Sequence, residues 1–350
     1  MTLDLLDPVL EDIYVRSPQT LNEKWAALKS KPAWILIDEV QKVPRLLNVV
    51  HKMIEEHETL FALTGSSPRK LKRGAANLLA GRAFVYSLFP LTSVELGDGF
   101  RLNQALTWGT LPKILHLTSN QDKKEFLRAY ALTYLKEEVV AEQLVRNLTP
   151  FRHFLEVAAQ CNGQVINFTK IASDVGADVK TVQSYFSILE DTLLGLLLPA
   201  FHLSIRKRQR THPKFYFFDP GVKRALEHTL DQELYPKTFA YGFAFEHFII
   251  VELYRLAEYR RCDWSFSYFQ TTDGGEIDLV IDRPGKTRLL IEIKSTDRVT
   301  ERDVTALNRF QKEIPHSEAF CLSLDPTPKK IGATLCLPWR QSLQKDSPFF

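Results

Sequence analysis

Short apolar runs alternate with amphipathic stretches over the first hundred residues of the chain. Residues 33–37 form an unbroken run, Ala-Trp-Ile-Leu-Ile, with Pro32 before it and Pro44 after it. A run this short is typical of a strand that is buried on both faces of a parallel sheet. Residues 46–57 then place apolar side chains at the spacing of one helix face, and residues 60–63 form a second apolar run.

Two weaker runs extend this pattern. Residues 3–6 predict an edge strand, and residues 84–88 predict a third strand of the same sheet. Strands that alternate with helices indicate βαβ units and a parallel sheet. We therefore predict an α/β fold class, with a first segment that covers residues 1–105.

Polar side chains follow the two central apolar runs. Asp38 and Glu39 end the first run, and Thr64 and Ser66 end the second. The carboxyl ends of parallel strands form the ligand-binding edge of an open sheet. In a Walker B motif the Asp holds the Mg²⁺ of a bound nucleotide and the Glu polarises the attacking water. The alternative interpretation is a buried strand followed by a solvated acidic turn.

The first segment also carries three motifs in order, ILIDEVQKVPRLLNVVHKMIEE, FALTGSSPRKLKRGAANLLAGRA and LFPLTSVEL. With them the chain resembles the AAA-family ATPases of bacteria and archaea that carry a C-terminal domain of unknown function. The resemblance implies that Asp38 and Glu39 are the Walker B acids and that Thr64 and Ser66 lie in the sensor region. It also implies that Arg82 belongs to the family's LxGR element, and that ATP and Mg²⁺ are the cofactors.

The chain departs from this family at the phosphate loop. The pattern G-x-x-x-x-G-K-[ST] does not occur in the 350 residues, and Gly285-Lys286-Thr287 follows Arg283-Pro284 in a predicted hairpin without the leading glycine. The backbone N–H groups and the lysine that cradle the phosphates are therefore not in this sequence. We therefore expect a truncated or mis-started P-loop NTPase-like domain, with impaired nucleotide binding and a gap in the sheet.

The middle segment, residues 106–238, predicts a winged helix. A short helix over residues 168–175 is followed by Gly176 as a cap, and Asp178 begins a second helix over residues 179–191. This is the helix-turn-helix pattern. Two strands, residues 193–203 and 215–218, then flank a basic run.

The candidate DNA contacts of this segment fall into two groups. Those on the second helix are Lys180, Thr181 and Gln183, and those in the basic wing are Arg206, Lys207 and Arg208. Base contacts would come from the helix and phosphate contacts from the wing. The alternative is a spacer between domains that keeps this fold and binds nothing.

In the C-terminal segment, residues 239–350, we predict two strands over residues 277–282 and 289–294. Their period-two alternation places Glu292 and Lys294 on one face, where Asp278 can join them. With this pattern the segment resembles the core of the PD-(D/E)xK nucleases. The resemblance implies that Asp278 and Glu292 hold Mg²⁺ or Mn²⁺ and that Lys294 positions or activates the attacking water. The resemblance also implies that Glu246, on the apolar side of a predicted helix, corresponds to the acid of the first helix and is a further metal ligand.

This nuclease pattern has one departure and one alternative. Ile277 stands where the nominal motif has proline. A Glu–Lys pair on an exposed strand is also common in sheets that carry no active site. Three polar residues at this spacing, together with an acid on an apolar helix face, favour the nuclease-like fold.

Composition limits the remaining possibilities. Hydrophobic residues make up 45% of the chain and charged residues 25%, and the net charge is +3. These values are ordinary for a globular protein, and the charge is too small to indicate nucleic-acid binding by itself. The four cysteines form no CxxC pair, and the sequence has neither an apolar stretch of membrane-spanning length nor an N-terminal signal. We predict a cytoplasmic protein without a membrane partner.

Three functions stay open on the sequence. The first is an AAA-family ATPase-like protein with impaired nucleotide binding. The second is a metal-dependent DNA nuclease that acts through the C-terminal segment. The third is a non-catalytic module that binds DNA or protein. DNA, protein partners and self-association all stay open as partner predictions.

Overall fold

The computed structural model describes residues 1–65, 81–134, 148–202, 212–271, 274–344 and 346–350. Two compact units divide the chain, Met1–Ser87 and Leu88–Phe350. The second unit contains both of the segments that the sequence separates at residue 238. Within the described residues no helix combines the length and the apolar character that crossing a membrane requires.

The first unit is a small parallel α/β structure. Its elements are β1 (Thr2–Asp4), α1 (Pro8–Arg16), α2 (Thr20–Ala27), β2 (Trp34–Asp38), α3 (Leu46–His57) and β3 (Leu60–Leu63). The strands run parallel in the order β1-β2-β3. The predicted α/β class and parallel sheet are therefore confirmed. The expected gap is not found among the described strands, because β2 pairs directly with both of its neighbours.

Two expectations for this sheet are wrong. β2 is buried on one face only: Ile35 and Ile37 are fully buried, whereas Trp34 is 55% exposed and Leu36 is 37% exposed. Successive side chains of a strand point to opposite faces, and the described core lies on the Ile35 side. The predicted strand at residues 84–88 is not formed, and four of its five side chains are exposed.

The second unit begins with short helices and a helical middle. These are α4 (Ser93–Leu96), α5 (Leu102–Trp108), α6 (Pro112–His116), α7 (Asn120–Ala129), α8 (Leu148–Gln160), α9 (Phe168–Val175) and α10 (Val179–Asp191). A two-stranded antiparallel hairpin follows, made of β4 (Gly195–Leu198) and β5 (Lys214–Phe217). The helices and the hairpin that the sequence predicts are thus present, while their identification as a winged helix stays a prediction.

The rest of the second unit is built on a mixed sheet. Its elements are α11 (Pro220–Leu226), α12 (Phe239–Tyr259), β6 (Ser265–Gln270), β7 (Glu276–Asp282), β8 (Arg288–Lys294), α13 (Glu301–Glu313), β9 (Ser317–Ser323), β10 (Lys329–Ile331), β11 (Thr334–Pro338) and α14 (Trp339–Ser342). The strand order is β10-β11-β9-β8-β7-β6, with β8, β9 and β11 mutually parallel. One apolar cluster joins α12 to this sheet.

Buried polar contacts fasten the segment before α6 to α12 and to Asp219, the residue that precedes α11. The backbone N–H of Ser93 donates to Glu252 Oε1 at 2.5 Å, and the N–H of Thr110 donates to Asp219 Oδ2 at 2.8 Å. Arg255, also on α12, donates to the backbone carbonyl of Phe218. The residues from Ser93 onward therefore belong to the second compact unit, while the domain boundary at residue 105 stays a prediction.

Candidate functional site

The acids and the lysine of the C-terminal segment meet where β7 and β8 lie side by side. The antiparallel register of these strands pairs Leu279 with Ile291. The backbone N–H of Ile293 donates to Asp278 Oδ2 at 2.7 Å, and Lys294 Nζ lies 2.6 Å from Glu292 Oε1. The structure thus brings together Asp278, Glu292 and Lys294, as their spacing predicts.

Burial and mutual repulsion set the protonation of the acids. Glu292 is 8% exposed, and burial, followed by the charge of Asp278, raises its pKa to about 8. Burial also raises the pKa of Asp278. Burial alone would lower the pKa of Lys294, but Glu292 and Asp278 outweigh that effect and raise it. Lys294 therefore stays protonated near neutral pH, with its charge directed at the two acids.

Glu292 keeps one oxygen without a partner. Its Oε1 faces Lys294, whereas its Oε2 is buried and accepts no hydrogen bond from the described residues. A buried carboxylate oxygen in this state costs free energy unless a proton or a cation reaches it. Glu292 is thus the acid of the cluster with the strongest need for a proton or a cation.

Glu246 joins the cluster from α12. Its Oε1 accepts a hydrogen bond of 2.7 Å from the hydroxyl of Tyr216, which lies on β5. Burial, followed by the charge of Asp278, raises the pKa of Glu246 to about 7. Glu246 also acts electrostatically on Glu292, so the three acids form one interacting group.

The sequence did not reveal two side chains at this cluster, Lys214 and Tyr216. Lys214 forms an ion pair with Glu276, the first residue of β7. Both side chains come from the hairpin, about 60 residues before β7 along the chain. No motif spacing links them to Asp278, and only a correct prediction of how the hairpin packs on the sheet could have found them.

The raised pKa of Glu292 predicts how stability depends on pH. The folded state keeps a proton up to about pH 8, whereas an ordinary Glu releases it near 4.5. The proton bound to Glu292 stabilises the folded state. This stabilisation is full below about pH 4.5 and is lost as the pH rises through the folded pKa of about 8. We expect Glu292→Gln, which stays neutral, to raise the free energy of unfolding at about pH 9 by roughly 1–3 kcal/mol, since one pKa unit corresponds to about 1.4 kcal/mol.

Urea unfolding in EDTA at about pH 5, 7 and 9 checks this prediction. The difference between Glu292→Gln and the wild type should be small at pH 5 and grow with pH. Glu313→Gln, at an exposed position on α13, is the matched control and should track the wild type. An effect of Glu292→Gln that is independent of pH would contradict the assignment of the proton to Glu292.

The resembled nucleases require a divalent cation, and the donor set of the cluster meets part of what such an ion needs. Within the described ranges, no group of three His, Cys, Asp or Glu side chains is arranged to hold a metal ion. Asp278 and Glu292 nevertheless offer the carboxylate oxygens that Mg²⁺ and Mn²⁺ prefer. Oε2 of Glu292 is buried and has no hydrogen-bond partner among the described residues, so a cation bound there would replace the proton of Glu292.

The N-terminal candidates lie at the carboxyl ends of β2 and β3. The Thr64 hydroxyl donates to Asp38 Oδ1, and the Thr64 N–H donates to the carbonyl of Ile37 at 2.9 Å. Glu39 has a left-handed backbone with φ of 57° and accepts a hydrogen bond from Gln41. The structure thus joins Asp38 to Thr64, as expected for adjacent parallel strands.

The other N-terminal candidates are engaged elsewhere or are not described. Arg82 forms an ion pair with Glu55 on α3, and this contact lowers the pKa of Glu55. Ser66 lies outside the described residues. The contacts of Arg82 therefore give no evidence for a phosphate-binding role.

The candidate DNA contacts on α10 differ in exposure. Lys180 and Gln183 are exposed, whereas Thr181 donates from its hydroxyl to Asp178 Oδ2 at 2.6 Å and so stabilises the helix start. Arg206, Lys207 and Arg208 lie outside the described residues. Of the three candidates on α10, Lys180 and Gln183 are therefore exposed to solvent, whereas the hydroxyl of Thr181 is bound to Asp178.

Three family models match successive parts of the chain. Residues 2–97 match the AAA domain, residues 99–233 match a domain of unknown function (DUF8612), and residues 241–341 match a domain of unknown function (DUF4143). The match of the N-terminal part to an AAA domain supports an AAA-like, ATPase-type protein. The AAA-like domain and the second domain of unknown function support the resemblance drawn from the motifs.

The curated relatives are uncharacterized proteins. One from Mycobacterium tuberculosis is 25% identical over 268 residues, which cover 76% of this chain and 60% of the relative. One from Methanocaldococcus jannaschii is 20% identical over 303 residues, which cover 80% of this chain and 65% of the relative. The chain thus spans less than two thirds of the length of these relatives.

One of the solved structures that match extends along most of the chain. It is Can2 from Sulfobacillus thermosulfidooxidans in complex with cyclic tetra-adenylate, with 10% sequence identity. The match covers 98% of this chain and 96% of Can2, at a TM-score of 0.24. This score is too low to support a common fold.

Proposed function

We propose that this AAA-like protein hydrolyses phosphodiester bonds in DNA at its C-terminal site, with a divalent metal ion as cofactor. One observation carries the proposal. The buried Glu292 has an open carboxylate oxygen and lies beside Lys294 and Asp278 on adjacent strands. A divalent cation would displace the proton of Glu292, so the arrangement combines carboxylate ligands for a cation with a fixed positive charge for the substrate.

Burying three acids close together costs free energy, and this cost favours a functional role for the cluster. A buried acid that lacks a full set of partners destabilises a fold, and like charges next to one another add to that cost. Glu246, Asp278 and Glu292 all have raised pKa values. Perturbed groups of this kind concentrate at sites that perform chemistry.

Each residue has a distinct role in the proposal. Asp278 and Glu292 would hold Mg²⁺ or Mn²⁺, with Glu246 as a further acid of the site. The cation would polarise the scissile phosphate and offset its charge. Lys294 keeps its proton, so it would orient the attacking water and stabilise negative charge on the phosphate, and would not act as the base.

Cleavage and metal binding test this function together. The purified chain would be incubated with supercoiled plasmid and Mg²⁺ or Mn²⁺, and Mn²⁺ binding would be followed by titration calorimetry. We expect one Mn²⁺ site and nicking that EDTA abolishes. Metal binding without cleavage of any DNA would favour the non-catalytic binding module, and no metal binding would overturn the proposal.

A nucleotide site at the other end of the chain is a second candidate. It is supported by the hydrogen bond between Thr64 and Asp38 at the ligand-binding edge of the parallel sheet. We propose that this edge carries part of an ATP and Mg²⁺ site. The phosphate loop does not occur in these residues, so the sheet edge alone supplies few phosphate contacts.

For the 350 residues we therefore expect weak ATP binding, with a Kd above about 1 mM, a value that corresponds to only about 4 kcal/mol of binding free energy. Titration calorimetry with Mg²⁺ and ATP measures it, and Asp38→Ala should weaken the signal further, because Asp38 is the Mg²⁺ ligand of the proposed edge. A micromolar Kd that Asp38→Ala abolishes would contradict the expectation of impaired binding.

DNA is also the partner that we propose for the middle segment. Lys180 and Gln183 lie exposed on α10, the second helix of the predicted helix-turn-helix. Exposed polar residues on such a helix can reach base edges and phosphates. Other protein partners and self-association belong to the non-catalytic alternative.

A further inference from the structure

The β4–β5 hairpin reaches the acid cluster with one face of β5. Residues 214 and 216 share a face, because alternate side chains of a strand point the same way. The opposite face carries Phe215 and Phe217, which pack in the helical core. Lys214 is 5% exposed and Tyr216 is 1% exposed, so both polar side chains are enclosed by protein.

The hairpin is fixed to the edge of the six-stranded sheet. A parallel bridge joins Ala200, just after β4, to Tyr268 on β6. The Tyr268 N–H donates to the carbonyl of Pro199 at 3.0 Å, and its hydroxyl donates to the carbonyl of His212 at 2.6 Å. These contacts hold both strands of the hairpin against β6 and define the position of β5.

Each buried polar group of β5 has a partner that belongs to the acid cluster or borders it. Tyr216 donates to Glu246 Oε1 at 2.7 Å. Lys214 forms its ion pair with Glu276, two residues before Asp278, and its ammonium lies 5.4 Å from the centre of the Tyr268 ring. The hairpin thus supplies one hydrogen-bond donor and one positive charge.

The charge balance of the cluster requires such a contribution. Glu246, Asp278, Glu292 and Glu276 provide four carboxyl groups, and Lys294 provides one cation on the sheet itself. Lys214 is the second cation of the cluster, and its ammonium pairs with Glu276. Burying a lysine without such partners would destabilise the fold, so packing alone does not explain its position.

We propose that Lys214 and Tyr216 are positioning residues of the C-terminal site, which is therefore a composite of the hairpin and the sheet. Tyr216 fixes the orientation of the Glu246 carboxylate, and Lys214 offsets the negative charge around Glu246 and Glu276. The inference rests on the proposed metal-dependent function. It adds that the sheet and α12 do not form the metal site without the hairpin.

Mn²⁺ affinity of the full chain is the measurement that tests this inference. Tyr216→Phe removes only one hydroxyl, and Lys214→Met removes the charge while keeping most of the side-chain length. We expect the Kd for Mn²⁺, measured by titration calorimetry, to rise about 10–100-fold in each variant, as for other residues that orient metal ligands. Lys214→Arg, which keeps the charge, should restore most of the affinity.

Matched controls use exposed residues of the same types. Tyr235→Phe and Lys237→Met alter side chains that are largely exposed, and Lys237 pairs only loosely, at 3.5 Å, with Asp297. Both controls should keep the wild-type Kd. Circular dichroism and the melting temperature show whether each variant is folded, and Tyr216→Phe remains decisive if Lys214→Met does not fold.

The outcomes separate this inference from the proposed function. If the wild type binds Mn²⁺ and both variants stay within twofold of its Kd, the positioning role is wrong while the metal-dependent function stands. If the wild type binds Mn²⁺, the variants bind it weakly and no DNA is cut, the positioning role holds and the nuclease activity fails. If the wild type binds no Mn²⁺, both proposals are overturned.

Discussion

Replacing Lys294 by Ala is expected to lower the rate of plasmid cleavage by about 10²–10⁴-fold, the range for loss of a group that stabilises charge or moves a proton in the transition state. Lys294 Nζ lies 2.6 Å from Glu292 Oε1, and the lysine stays protonated near neutral pH. Because the lysine holds no metal in the proposal, Lys294→Ala should keep its Mn²⁺ affinity while the single-turnover rate falls.

Asp278→Ala provides the contrasting variant. Asp278 is a metal ligand in the proposal, so this change should abolish both Mn²⁺ binding and cleavage. Lys312→Ala, at an exposed lysine of α13, is the control and should cut at the wild-type rate. Cleavage by Lys294→Ala at the wild-type rate, in a preparation freed of contaminating nuclease, would assign the activity to another site.

Replacing Gly109 by Ala is expected to destabilise the protein by about 3 kcal/mol or more. Gly109 has φ of 74°, and a Cβ there would overlap the carboxylate of Asp219. A backbone of this kind costs an L-residue about 1–3 kcal/mol. Asp219 accepts hydrogen bonds from the N–H groups of Thr110, Gly221 and Val222, and displacing it leaves buried donors unpaired at about 1–3 kcal/mol each.

The melting temperature of the full chain measures this effect, with Gly99→Ala as the matched control. A Cβ at Gly99 would meet nothing within 4 Å, so this control should melt within about a degree of the wild type, as is usual for surface substitutions. Equal melting temperatures for both variants would mean that the contact between Gly109 and Asp219 contributes little.

Asp219 follows closely after β5, the strand that carries Tyr216, so Gly109→Ala should also weaken Mn²⁺ binding.

The sequence by itself determined the elements whose patterns are local. The apolar runs and helical spacing located β2, α3 and β3, and glycine and N-cap signals located α9 and α10. Period-two alternation also placed Asp278, Glu292 and Lys294 in one group, and their contacts agree with it. This succeeded because neighbouring strands joined by a short turn have a register that the chain itself fixes.

Predictions from the local sequence pattern were wrong where the burial of a side chain depends on which other elements pack over it. The run at residues 84–88 is apolar enough for a strand, yet it is exposed and forms none. Trp34 and Leu36 continue the run that contains Ile35 and Ile37, but no described element covers their face. Hydrophobicity along a chain indicates what can be buried, and tertiary packing decides what is buried.

Only the tertiary structure decided which distant groups meet. Tyr216 contacts Glu246, Lys214 pairs with Glu276, and Arg82 pairs with Glu55. None of these contacts follows from a motif, because each joins elements that are far apart in sequence. The sequence therefore supplied the acids and the lysine of the candidate site, and the packing of the hairpin on the sheet supplied the hydrogen bond and the second positive charge that fix them in place.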